Sequence, residues 1–298
     1  MLSIVSYPER GDDGRNSYRG NCSGKIIEDL IGQYKVKEIC DYMCGSGTTE
    51  DVANRLGIPS HCYDLNRGFD VMTMDLPERS SFTFWHPPYH DMIVYSGEQY
   101  SAEEVMQKYG FDPRISDLSR CKDWDEFVDR MNFCCMKMYN ALEKGGRLAV
   151  LMGDYKQKGR LYSMLSDIAK PGLEQIIIKA QHNCMSYGKK YSNNNFVPIV
   201  HEYLMVLKKA NALIYEFRLP RKVRLDIRDM GASATWCDVI YGIMSEHGKK
   251  LSLADLYAMI DGHKKAVNNP NWQAKVRQTL QMHPDLFSHV ERGVWRAA

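Results

Sequence analysis

The chain has 298 residues, 44% of them hydrophobic and 26% charged, which suits one large globular domain plus a smaller one and excludes a disordered or collagen-like chain. Lys+Arg of 39 against Asp+Glu of 37 leaves a net charge of +2, unevenly spread: from Arg218 onward there are 13 basic and 8 acidic residues. Nine scattered cysteines without a C-x-x-C pair indicate neither a disulfide framework nor a metal site, and point to a reducing cytoplasm; no apolar stretch reaches membrane-spanning length and the N-terminus lacks a signal-peptide core.

Residues 1 to 22 are polar and glycine-rich. Ile26, Ile27, Leu30 and Ile31 then recur at helical spacing behind Ser23, a suitable N-cap. Val36 to Asp41 reads as a strand, followed by the turn Cys44-Gly45-Ser46-Gly47-Thr48-Thr49 and a helix from about Glu50 that stops at Gly57. Gly45 and Gly47 let the backbone approach a ligand closely. Glu50 stands where a dinucleotide fingerprint wants a small residue, and its charge competes with a phosphate for the helix N-terminus, so the loop suits a ligand without phosphates. Ser60 to Tyr63 reads as a second strand ending at Asp64, about twenty residues past the loop, where an acid can grip ribose hydroxyls.

Ser81 to Ser96 holds the most informative stretch, SFTFWHPPYHDMIVYS. A buried strand, Phe82 to Trp85, is stopped by Pro87 and Pro88, which cannot donate to a ladder. The prolines hold the local carbonyls in set directions. Such a corner can accept hydrogen bonds from an exocyclic amine through the Pro87 carbonyl and a side chain at His86, while Tyr89 stacks on the ring that bears the amine.

Further on, Ser101 to Gly110 reads as a short acidic helix. Asp123 caps a long helix with Trp124, Phe127, Val128, Met131, Cys135, Met138 and Leu142 on one face, closed by Gly145. Arg147 to Met152 is a strand with Asp154 just past its end, a secondary site candidate. A helix near Arg160 to Lys170 leads to strands at Gln175 to Lys179 and His201 to Leu207. Between these strands lies a polar, basic loop in which Lys189, Lys190, Tyr191, Asn193, Asn194 and Asn195 can contact phosphates and base edges. Arg218, Arg221, Lys222, Arg224 and Arg228 crowd into an expected linker, 218–233. From Ala234 three short helices and a hairpin around Glu291-Arg292-Gly293 follow, the order of a winged helix. Its third helix offers Gln273, Lys275, Arg277 and Gln278 to a major groove, with Arg292 at the wing.

DYMCGSGTT and HPPY together resemble the cofactor and catalytic motifs of the S-adenosylmethionine-dependent amino-methyltransferases, whose catalytic pattern is Asp, Asn or Ser, then Pro-Pro, then an aromatic; SYRGNCSGKIIEDLI resembles the element that closes over the methionine moiety. The resemblance covers most of residues 1 to 217. It implies a doubly wound, Rossmann-like α/β methyltransferase domain over 1–217, with the winged helix over 234–298. It further implies S-adenosyl-L-methionine held by Asp41, Cys44, Gly45, Ser46, Gly47, Thr48, Asp64 and Asp70, with Asp75 a rival to Asp70 for the adenine edge. The implied reaction is methyl transfer to adenine N6 in double-stranded DNA, with His86, Pro87, Pro88 and Tyr89 catalytic and no metal. His86 departs from the motif, since a neutral imidazole accepts through one nitrogen only and its tautomer matters. Cytosine N4, an amine of RNA or of a protein glutamine, and a non-catalytic DNA-binding protein are the alternatives. A restriction endonuclease partner and a homodimer both remain open.

Overall fold

The computed structural model describes residues 1–182, 197–210, 235–248 and 250–298. The chain divides into two compact units, Met1–Pro220 and Arg221–Ala298. The expected linker at 218–233, together with Lys189, Lys190, Tyr191 and Asn193 to Asn195, lies outside the described residues.

In the first unit a short strand β1 (Ile4–Ser6) precedes helix α1 (Gly24–Tyr34), whose N-cap is Ser23 as expected. Then come β2 (Ile39–Asp41), α2 (Thr48–Leu56), β3 (Ser60–Cys62), β4 (Ser80–Trp85) and α3 (Ala102–Tyr109). Asp123 caps α4 (Trp124–Ala141) by accepting the Glu126 N–H at 2.9 Å. After α4 follow β5 (Leu142–Met152), the hairpin of β6 (Asp154–Gln157) and β7 (Arg160–Ser163), α5 (Met164–Asp167), β8 (Leu173–Ala180) and β9 (His201–Lys208).

Seven of these strands form one sheet in the order β1-β8-β9-β5-β4-β2-β3, parallel throughout except for β9, which runs against both β8 and β5. Alternation along β5 and β9 places residues on two faces. Leu148, Val150, Met152, Met205 and Leu207 face the α4 side with Phe127, Met131 and Met138; Ala149, Leu151, Leu204 and Val206 face the α1 and α2 side with Ile26, Leu30 and Val52. Helices on both faces of a largely parallel sheet make this the doubly wound α/β architecture that was expected. The chain leaves β2 for β3 on one side and returns to β4 on the other. That reversal is a topological switch point, and it opens a crevice beyond the carboxyl ends of β2 and β4.

Two expectations need correction. Residues 160 to 170 are not one helix: Lys158 and Gly159 take left-handed φ values of 49° and 77°, which closes a hairpin with Tyr155 opposite Tyr162 and leaves only the four-residue α5. Helix α4 stops at Ala141, because Leu142 turns extended and already pairs with Ser80 of β4. Strand β1, within the polar and glycine-rich start of the chain, pairs with β8.

The second unit contains α6 (Trp236–Glu246), β10 (Lys250–Ser252), α7 (Leu253–Ile260), the short α8 (Lys264–Val267), α9 (Trp272–Met282) and a hairpin of β11 (Phe287–Glu291) and β12 (Val294–Ala297). Thr235 and Ser252 each close a capping box, with Asp238 and Asp255 respectively. Val239, Ile240, Ile243, Leu256, Ile260, Val276, Leu280 and Phe287 form its core under an antiparallel sheet ordered β10-β12-β11.

Candidate active site

Because β2, β3, β4 and β5 are parallel, their carboxyl ends bring together the turn 42–47, Asp64, the corner His86–Tyr89 and Gly153-Asp154. Two clefts meet there. The first has about 800 Å³ of empty space, open solvent included, and is lined by Cys44 to Ser46, Thr48, Asp64, Asp70, His86, Pro88 and the rings of Tyr18, Tyr95 and Tyr100. The second, about 1810 Å³ counted the same way, is lined by Tyr89, Asp154, Lys179, Glu202 and the cations Arg10, Arg19 and Lys156. Gly20, Asn21 and Cys22 border both.

The turn is shaped by its glycines. Gly45 and Gly47 adopt φ of 50° and 92°, and a Cβ on Gly45 would stand 3.0 Å from the Tyr18 ring. The Gly45 N–H donates to Asp64 Oδ2 at 2.9 Å and the Cys44 N–H to the Tyr63 carbonyl at 3.0 Å, so the turn is fastened to the end of β3. Glu50, in the first turn of α2, is paired with Arg67 at 2.8 Å. The helix N-terminus therefore carries its own acid. Ser46 Oγ is buried without a hydrogen-bond partner among the described residues, inside the cleft wall.

Asp41, Asp64 and Asp70 all line the first cleft. Asp41 accepts from the Met43 N–H at 3.0 Å and Thr49 Oγ1 at 2.6 Å, and burial pushes its pKa up to about 7 against those bonds. Asp41, expected as a cofactor ligand, braces the turn with these two bonds, one on each oxygen, and lines the first cleft. Asp70 is similarly engaged, by the Met72 N–H, Thr73 Oγ1 and, at 2.6 Å, Ser116 Oγ. Asp64, like Asp41, accepts one hydrogen bond on each oxygen, from the Gly45 and Asn66 N–H groups, so each oxygen keeps accepting capacity. Burial raises its pKa. Asp75, the rival to Asp70, does not line the cleft.

At the corner, Tyr89 Oη donates to Glu202 Oε1 at 2.6 Å and lies 3.1 Å from His86 Nε2. Glu202 Oε2 pairs with Lys179 Nζ at 2.6 Å, and both residues are buried. Burial lowers the His86 pKa to about 4, so the ring is neutral at pH 7. Burial raises that of Glu202, but the Lys179 charge, the neighbouring His86 and the hydrogen bonds from Lys179 and Tyr89 together outweigh it and keep the carboxylate below its ordinary value. Asp154 Oδ1 is buried without a partner among the described residues, on the second cleft.

Tyr18 belongs to the SYRGNC segment expected at the methionine moiety and lines the first cleft. Sequence reasoning missed Tyr95, Tyr100 and Asp117 of that cleft, and Lys179 and Glu202 of the second. Asp117 is fully engaged by the N–H and hydroxyl groups of Ser96 and Ser119, which a Ser-Asp-x-Ser pattern hints at. Lys179 and Glu202 are single charges in otherwise apolar strand segments, IIIK and HEYLMVL, and that was the available signal. In the second unit Gln273, Lys275, Arg277 and Gln278 of α9 are exposed, while Val276 and Leu280 are buried, and Arg292 is exposed in the hairpin turn. Arg277 also reaches Tyr257 Oη at 2.7 Å.

No family profile and no curated protein matches the chain. Among solved structures, a candidate DNA modification methylase from Thermus thermophilus is 13% identical, with 63% of this chain and 57% of that one covered and a TM-score of 0.30. TrmN from Thermus thermophilus is 15% identical, with 65% and 51% covered and a TM-score of 0.36. An S-adenosylmethionine-dependent methyltransferase from Clostridium acetobutylicum is 7% identical, with 63% and 91% covered and a TM-score of 0.31. The matched part thus spans about half the length of the first two proteins.

Proposed function

We propose that the first unit is an S-adenosylmethionine-dependent methyltransferase acting on the exocyclic amine of a nucleobase, with adenine N6 in double-stranded DNA as the leading substrate. One observation carries the reading: the glycine turn and the His-Pro-Pro-Tyr corner end adjacent parallel strands at the switch point, so a single crevice joins a cofactor wall to an amine-accepting corner.

The first cleft fits this cofactor. Its turn has no side chains at Gly45 and Gly47, and its helix N-terminus is closed to phosphate by the Glu50–Arg67 pair. Asp64 can accept from ribose hydroxyls, and the unpartnered Ser46 Oγ offers a hydrogen bond. Tyr18, Tyr95 and Tyr100 are neutral phenols whose pKa values burial raises, and they supply aromatic surface to a positively charged sulfur compound. When bound, S-adenosylmethionine supplies an electrophilic methyl group on a sulfonium.

The corner then orients the acceptor: His86 and the Pro87 carbonyl take the N–H groups of the amine, which points the nitrogen lone pair across the crevice, and the Tyr89 ring on the second cleft offers a face to the base. Bound there, the cofactor would supply its methyl group to the amine nitrogen and keep the carbon–sulfur bonding pair, and the surplus amine proton would pass to water. Arg10, Arg19 and Lys156 give the second cleft the charge that a phosphate backbone calls for. The second unit, read as a winged helix, adds Gln273, Lys275, Arg277 and Arg292 as further nucleic-acid contacts.

The test is incubation of the protein and duplex DNA with methyl-labelled cofactor, followed by digestion to nucleosides and mass spectrometry. Labelled N6-methyladenine supports the reading. Labelled N4-methylcytosine moves the target to cytosine, and label in RNA alone, or in none of these, overturns DNA as the substrate.

A further inference from the structure

His86 occupies the position where the resembling family carries a side-chain oxygen. An oxygen accepts in any protonation state of interest, whereas a neutral imidazole accepts only through the nitrogen that lacks hydrogen. We propose that Lys179 and Glu202 are positioning residues that, acting through Tyr89, hold His86 with its hydrogen on Nε2 and so leave Nδ1 as the acceptor for the substrate amine. This rests on the amine-methylation reading above.

Lys179 and Glu202 are opposed in register across β8 and β9, and their 2.6 Å contact keeps the buried carboxylate ionised and therefore purely accepting. Tyr89 has one hydroxyl hydrogen. A charge-assisted bond of 2.6 Å to Glu202 Oε1 consumes it. The Tyr89 oxygen thus presents only lone pairs to His86 Nε2, 3.1 Å away. A bare Nε2 would set lone pair against lone pair at that distance, so Nε2 must donate. In a neutral ring Nδ1 is then unprotonated, and among the described residues no hydrogen bond engages it while His86 lines the cofactor cleft. Burial disfavours the alternative of a doubly protonated ring.

The surroundings are shaped for this chain. Gly153 leaves room for the Tyr89 ring, since a Cβ there would stand 2.7 Å from Tyr89 Cε2. Glu202 also lies on the sheet face that otherwise carries Leu204 and Val206, an environment in which a carboxylate is costly unless its partners are all in place.

Long-range proton–nitrogen correlation spectra of the full chain with nitrogen-15 histidine, at neutral pH and without cofactor or substrate, test the proposal directly. His86 is assigned by the signals lost in His86→Asn. The expected result is a neutral ring protonated on Nε2; an Nδ1–H tautomer or an imidazolium overturns the proposal. In Tyr89→Phe the ring loses its acceptor, and its averaged nitrogen shifts should move toward the Nδ1–H form; unchanged shifts overturn the relay. Kinetically, Tyr89→Phe should lower kcat for methyl transfer about tenfold with His86 present but less than about twofold in a His86→Asn background, with cofactor affinity unchanged. Equal losses in both backgrounds overturn the relay. If the spectra show Nε2–H but no amine is methylated, the tautomer assignment survives and the methyltransferase reading fails, so the two are separable.

Discussion

The first cleft draws most of its walls from short segments, 41–49, 64–71 and 116–118, whereas the second gathers Arg10, Arg19, Lys179 and Glu202 from opposite ends of the first unit. In the first, carboxylates are quenched locally: Asp41, Asp70 and Asp117 accept from residues close in sequence, and Ser116 and Ser96 add longer ties. In the second, charge is balanced across the sheet by one buried ion pair. A loop that carries its own hydrogen-bond partners is specified by a motif. A network assembled by strand pairing depends on the whole fold, and its members are free to change only together.

That contrast can be broken most severely at the ion pair. Lys179→Met or Glu202→Leu alone should destabilise the first unit by about 3–5 kcal/mol in denaturant unfolding, because each leaves a buried charge unpaired, while the double variant should recover most of the loss. Additive losses would mean that the pair is not buried as described.

Next in size is a pH dependence on the cofactor side. Burial raises the Asp41 pKa from 3.8 to about 7, so its contribution to stability is complete at low pH and is lost as pH rises through 7. Relative to the wild type, Asp41→Asn should therefore gain on the order of 3 kcal/mol between about pH 4 and pH 7. His86 has the opposite sign. Its pKa is lowered from 6.5 to about 4, so the wild type loses stability as pH falls across that window and His86→Asn should gain there. Thermal melts of the three proteins across pH 4 to 8 check both directions.

A smaller effect is expected at the turn. Gly45→Ala places a side chain at φ 50° and 3.0 Å from Tyr18, costing about 1–2 kcal/mol and weakening S-adenosylmethionine about tenfold by calorimetry. The smallest change belongs to the second unit. Replacing Lys275 and Arg277 on α9 by Ala should reduce the slope of log K against log salt by about 2 for duplex DNA, without altering cofactor affinity.

What was legible in the sequence follows the same division. The strand, glycine turn and helix around residues 39–56, the strand ending at Trp85 and the cap at Asp123 are local patterns, and the structure has them within a few residues. The hairpin of β6 and β7 was hidden because Arg160 to Ser163 mixes polar and apolar residues without a clear period, and Lys158 takes a left-handed conformation that its side chain does not announce. Asp41 and Asp70 were assigned from motif position and both line the cleft, while the hydrogen bonds that engage them are shown only by geometry. The link from Tyr89 to Glu202 spans 113 residues and has no local signature beyond a lone acid in an apolar strand.

Whether the His86–Tyr89 corner methylates a base amine is decided by single-molecule modification sequencing of plasmid DNA from a methylation-free host, expressing the wild type or Tyr89→Ala. Methylated adenine at one recurring site is expected with the wild type and none with the variant. Unmodified DNA from wild-type protein that is soluble and binds S-adenosylmethionine would overturn the proposed function.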